Sequence, residues 1–165
     1  MKRRFAIALV FATFAAVGIA QTAAPAKPNF AGIWKLNLQK SDLGQMAPDS
    51  ETYTVAQTDT EVKVTIASES QFGKMNYTFA AKLDGTDTPL AADAFPAESP
   101  FRILTSKAEW QGSSLVLTQT TSFQDAKGTL KSTYTLSDDG KVLTKATHVT
   151  FDQGDFDSKS VYDKA

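Results

Sequence analysis

Residues 114–151 read SLVLTQTTSFQDAKGTLKSTYTLSDDGKVLTKATHVTF, and their period decides the fold. Leu115, Leu117, Gln119, Thr121 and Phe123 share one face, and the pattern restarts after residues 125–128 with Leu130, Tyr134 and Leu136. It restarts again after residues 137–140 with Leu143, Val149 and Phe151. Alternation at every second position is what a strand with one buried face requires, because successive side chains leave opposite sides of the pleat. The two short Asp- and Gly-containing connections suit hairpin turns, so the three strands run antiparallel to their neighbours.

The same period extends toward the N-terminus. Trp34, Leu36 and Leu38 alternate with Lys35 and Asn37; Val62, Val64 and Ile66 oppose Lys63 and Thr65; Tyr77, Phe79, Ala81 and Leu83 alternate with Thr78, Ala80 and Lys82. Residues 101–110 break phase, with Phe101 and Ile103 facing one way and Leu104, Ala108 and Trp110 the other, as a β-bulge or a rim position produces. Further turn chemistry falls at residues 57–60, 72–74, 84–85, 111–112 and 153–154. Segments 39–50 and 86–100, interrupted by Gly44, Pro48, Pro89, Pro96 and Pro100, carry no strand pattern, and residues 91–94 suit one helical turn. Without a crossover helix a parallel α/β sheet is excluded. The expected fold is all-β, an antiparallel up-and-down β-barrel of 8–10 strands over residues 30–165, with a two-sheet sandwich as the alternative. Closure removes exposed sheet edges, and local hairpins favour it.

Residues 1–20, MKRRFAIALVFATFAAVGIA, place Lys2, Arg3 and Arg4 before an uncharged apolar run and end on small residues. That is the layout of a secretory signal peptide cleaved after Ala20. The run covers about fifteen residues, short of the ~20 that a membrane-spanning helix needs, so the chain is expected to be exported, periplasmic or secreted, and not an integral membrane protein. Residues 21–29, with Pro25 and Pro28, read as a flexible lead. The chain has no cysteine, so neither disulfides nor a lipid-bearing thiol hold it. Removing the leader leaves fourteen Lys plus Arg against eighteen Asp plus Glu, a net charge near −4, with Arg102 the one remaining arginine. No phosphate-neutralising surface exists in such a composition, and a nucleic-acid partner is not expected. Nothing in it fixes an oligomeric state.

Catalytic and metal chemistry find little footing. His148, the single histidine, has no Gly-x-Ser-x-Gly nucleophile elbow to serve, and reads as a solvated strand-face residue. Zinc and copper lack their usual ligands. The acidic group Asp152, Asp155 and Asp157 does not fit a calcium loop and reads as a wet turn. Glu98 with Glu109, or Asp87 with Asp93, lack any sign of the burial that paired acids require. Asn76-Tyr77-Thr78 is a formal glycosylation acceptor inside a strand and is read as chance. No cofactor and no metal are expected.

The residues 30–36, FAGIWKL, resemble the first strand of the lipocalin and fatty-acid-binding-protein superfamily, carried by Gly32-Ile33-Trp34. Together with Ser41 and the later run at residues 136–144, they also resemble a group of small exported bacterial proteins of unknown function. The resemblance implies that Gly32 lets the strand bend beneath a barrel, that Trp34 packs across its closed end, and that a small molecule sits in the middle. It also implies an Arg of the last strand over the Trp, where the closing segment 156–162 offers Lys159. A helix pair after the first strand would have to come from residues 39–50, and an inward Arg could only be Arg102.

The aromatics of the strands converge only if the sheet rolls up. They then either fill a solid core or line a pocket, for which Tyr77, Phe79, Trp110, Phe123 and Tyr134 supply walls while Arg102, Gln119 and Thr121 supply polar contacts. The leading expectation is a non-catalytic exported protein that binds a small hydrophobic or amphipathic molecule. A solid-cored envelope interaction module and a hydrolase or isomerase at the barrel mouth are the alternatives.

Overall fold

In the computed structural model, residues 27–44, 47–71, 73–91, 94–95, 99–123, 126–152 and 154–165 are described. They form ten strands: β1 (Gly32–Leu36), β2 (Ser50–Gln57), β3 (Glu61–Ser70), β4 (Gly73–Lys82), β5 (Thr88–Pro89), β6 (Phe101–Gln111), β7 (Ser114–Phe123), β8 (Ala126–Leu136), β9 (Val142–Phe151) and β10 (Gly154–Lys164). All pair antiparallel in the order β4-β3-β2-β1-β10-β9-β8-β7-β6-β5. The first and last long strands of the meander are joined by Trp34 opposite Lys164 and Leu36 opposite Tyr162. At the other seam, Ser106 Oγ donates to the Ala80 carbonyl at 2.6 Å and the Gly85 N–H to the Ala108 carbonyl at 3.0 Å, so β4 meets β6. One wall curling back on itself is a nearly closed barrel, and the sandwich is set aside.

Alternating connections put the β2–β3, β6–β7 and β8–β9 turns at one end, here called the floor. The β3–β4, β7–β8 and β9–β10 turns lie at the other end, the mouth. Leu104 is the β-bulge expected from the broken phase: Ile103 pairs with Thr121 and Thr105 with Thr120, leaving Leu104 over. Three expectations need correction. Leu38 is not the third inward residue of β1, because the Asn37 side chain accepts from the Lys40 N–H and turns the chain into a 3-10 turn, Leu38–Lys40, with Leu38 exposed. Gly128 is not a turn residue but part of β8, where a Cβ would overlap the Phe151 ring. The last strand extends to Lys164, past the segment read as its end.

The expected leader, residues 1–20, lies outside the described residues, as do residues 21–26 of the lead. Its final part is held: the Gln57 amide donates to the Pro28 carbonyl at 3.1 Å and accepts from the Phe30 N–H at 3.0 Å. Phe30 is thereby buried beneath the floor, stacked on Trp110 at 5.9 Å. No helix among the described residues is long and apolar enough to cross a membrane.

Candidate functional site: the barrel interior

Register turns the inner wall of β7 to β10 into rows. Leu115, Tyr134, Lys145 and Ser160 lie side by side, followed toward the mouth by Leu117, Ser132, Thr147 and Ser158. Next come Gln119, Leu130, Val149 and Phe156, then Thr121, Gly128, Phe151 and Gly154. Polarity therefore changes with height. The floor is packed, and the apolar gap among Phe30, Tyr53, Val55, Val62, Leu115 and Leu143 measures about 20 Å³. That is room for one water and no polar group to hold it, so the floor is core.

Above it lies a polar belt. Lys145 Nζ donates to the Tyr53 hydroxyl at 2.6 Å and stands 5.0 Å and 5.9 Å from the Tyr53 and Tyr162 ring centroids. The Tyr162 hydroxyl donates to Glu51 Oε1 at 2.6 Å, and the two tyrosine rings lie 4.8 Å apart. Burial lowers the pKa of Lys145, with the Glu51 carboxylate opposing the shift. Burial first, and the negative charge of Glu51 second, push the hydroxyls of Tyr53, Tyr77, Tyr134 and Tyr162 well above their ordinary range. Ser132 and Thr147 hydrogen-bond across β8 and β9 at 2.9 Å.

Two further polar groups in this wall have no such partner. Gln119 is 5% exposed and Thr121 0%. Neither Gln119 Nε2 nor Thr121 Oγ1 has a hydrogen-bond partner among the described residues. Both stand on the inward face of β7, two residues apart, toward the mouth. The mouth itself is aromatic: Phe123 and Phe156 remain 43% and 52% exposed. Phe95, from the connection between β5 and β6, stacks on Tyr77 at 4.7 Å and meets Phe101 edge-on at 6.1 Å.

Of the residues expected to line a pocket, Tyr77, Phe79, Gln119, Phe123 and Tyr134 face inward, with Phe79 wholly in the core. Trp110 lies at the floor against Phe30, far along β6 from the mouth. Arg102 pairs with Ser122 on the face opposite Ile103 and Thr121, which places it on the outer wall. Trp34 is fully buried, its indole N–H donating to the Phe30 carbonyl at 2.8 Å. The cation over it is not Lys159, whose backbone pairs with that of Asp42, but Lys164, 5.2 Å from the ring centroid.

Glu51, Tyr53, Lys145, Tyr162 and Phe95 were not singled out in the sequence. Lys145 carried a signal, since it occupies the apolar phase of β9 between Leu143 and Val149. Glu51 and Tyr53 carried less, because β2 begins inside a segment read as irregular.

The other candidates stay apart. His148 is exposed on the outer wall, Nδ1 2.8 Å from Asp157 Oδ1 and Nε2 3.9 Å from Asp155 Oδ2. No group of three metal-ligating side chains occurs among the described residues. Glu109 and Asp87 are exposed, while Glu98 and Asp93 lie outside the described residues. An open recess of about 580 Å³ follows β1, lined by Leu38, Ser41, Asp42, Leu43, Ala47 and Asp49, and shares nothing with the interior.

No family model and no curated protein matches the chain. Among solved structures it is similar to a Schistosoma mansoni fatty acid binding protein in complex with arachidonic acid. The two are 19% identical with a TM-score of 0.47, and the match covers 82% of this chain and 96% of that one. It is also similar to the secretory abundant heat soluble protein 4 of Ramazzottius varieornatus, at 14% identity and a TM-score of 0.47, with 86% and 97% covered.

Proposed function

We propose that this chain is an exported, non-catalytic binding protein that takes a small amphipathic molecule into the mouth half of its barrel. One observation carries the reading: Gln119 Nε2 and Thr121 Oγ1 are buried without partners on the inner wall. A buried donor left unsatisfied costs free energy that a guest's polar atom would recover. The half-exposed rings of Phe123 and Phe156 supply apolar surface for the rest of the guest. A purely apolar guest in the floor is not part of the reading, since the gap there is too small. Export rests on the leader pattern of residues 1–20. Glu51 and Lys145 are titratable groups inside a cleft, but each is engaged with a tyrosine hydroxyl, so neither is positioned as a free base.

Nile red fluorescence, read alongside urea unfolding, tests this. The parent protein should bind the dye, and Phe123→Ala should weaken uptake while changing stability by about 1 kcal/mol or less. Phe79→Ala should instead cost about 3–5 kcal/mol, as a core residue. A parent that takes up no dye, and retains no small molecule in native mass spectrometry, overturns the proposal. The solid floor and exposed mouth rings would then favour an interaction module.

A further inference from the structure

We infer that the guest's head group is uncharged, a hydroxyl, amide or ketone on an apolar body, and not a carboxylate. This rests on the proposed binding in the mouth half and narrows its ligand class. On the inward faces of the ten strands the charged side chains among the described residues are Glu51, Lys145 and Lys164. Lys164 sits at the floor over Trp34, exposed to solvent. The interior proper therefore holds one cation and one anion.

These two are tied into a single network, Lys145 through the Tyr53 hydroxyl and Glu51 through the Tyr162 hydroxyl, with the two rings in contact. Tyr77 and Tyr134, the remaining titratable groups of that wall, stay neutral. Arg102, the only arginine of residues 21–165, is on the outer wall. A carboxylate held at Gln119 and Thr121 would find no free cation, because Lys145 lies two rows toward the floor and is tied to Tyr53, and it would carry its charge into surroundings that solvate charge poorly. An uncharged oxygen faces no such penalty. It can accept from Gln119 Nε2 and exchange a hydrogen bond with the Thr121 hydroxyl, satisfying both orphaned groups.

Displacement of bound Nile red by dodecanamide, dodecanol and dodecanoic acid, at about pH 8 where the acid is ionised, tests the inference. The amide and alcohol should displace the dye at concentrations at least about ten-fold below the acid. Glu51→Gln, which leaves Lys145 unbalanced, should shrink or invert that ratio while circular dichroism stays unchanged. An acid that competes as well as the amide in the parent protein overturns the inference, as does a folded Glu51→Gln variant with an unaltered ratio. If Glu51→Gln does not fold, the parent's ratio decides alone. A parent that binds neither dye nor competitor brings down the binding proposal and this inference together, whereas preference for the acid brings down only this one.

Discussion

At the scale of single residues, Trp34 and Lys164 close the floor together. The indole is fully buried and donates to the Phe30 carbonyl, while the ammonium of the exposed Lys164 stands 5.2 Å from the ring centroid. Trp34→Ala should cost about 3–5 kcal/mol, since it empties the largest fully buried side chain. Lys164→Ala removes only a solvent-facing cation–π contact and should cost about 0.5–1 kcal/mol. Urea unfolding of the two variants gives both numbers. A Trp34→Ala protein as stable as its parent would contradict the role assigned to the ring. Gly128 shows the same economy of space at the mouth, where the Phe151 ring occupies the volume a side chain would take.

Among the elements, the connection between β4 and β6 decides how the barrel shuts. The ladder stops at β4, and in its place stand the Ser106 and Gly85 hydrogen bonds, a two-residue β5 and the inserted ring of Phe95. The bulge at Leu104 serves the same seam, its carbonyl accepting from the Leu90 N–H at 3.0 Å. Phe95→Ala should cost about 3–5 kcal/mol and speed the uptake of Nile red, because the ring fills the gap between Tyr77 and Phe101. Stopped-flow fluorescence measures the second effect; unchanged uptake would place the entry route elsewhere, toward Phe123 and Phe156. At the opposite seam Ser41 plays the pin: its hydroxyl donates to the Asn37 carbonyl at 2.7 Å and accepts from the Val161 N–H at 2.9 Å, fastening the segment after β1 to β10.

For the molecule as a whole, the polar belt couples stability to alkaline pH. All four tyrosines of the sequence have hydroxyls whose pKa is raised in the fold, burial being the main cause. A group raised above its unfolded value near 10 contributes stability that is intact below that pH and is lost as pH climbs toward the folded value. Lys145 is shifted down, so the penalty of burying its charge is present at lower pH and fades as pH approaches the ordinary lysine range. Four tyrosines outweigh one lysine, and the urea midpoint should fall above about pH 10. Tyrosinate absorbance should appear together with the loss of near-ultraviolet circular dichroism. Tyrosines that ionise while the barrel stays folded would show that the belt is wet.

Legibility followed the range of the forces involved. Period two along residues 114–151, the Asp-Gly turns and the phase slip near Leu104 are local properties of the chain, and they determined antiparallel pairing of successive strands and a break in phase that the structure shows as a bulge. Gln119 and Phe123 could be placed on the inner wall for the same reason. Arg102 is the one arginine the sequence leaves to hold a carboxylate, yet it alternates regularly with Phe101 and Ile103 before the bulge, and that phase turns it to the outer wall. The pairing of Lys145 with Tyr53 spans 92 residues and that of Tyr162 with Glu51 spans 111, so no window of sequence holds both partners. Nor does any window hold the volume left inside. Only closure of the sheet determined that the floor is solid, that Lys164 covers Trp34, and that two polar side chains of β7 are left facing inward without partners.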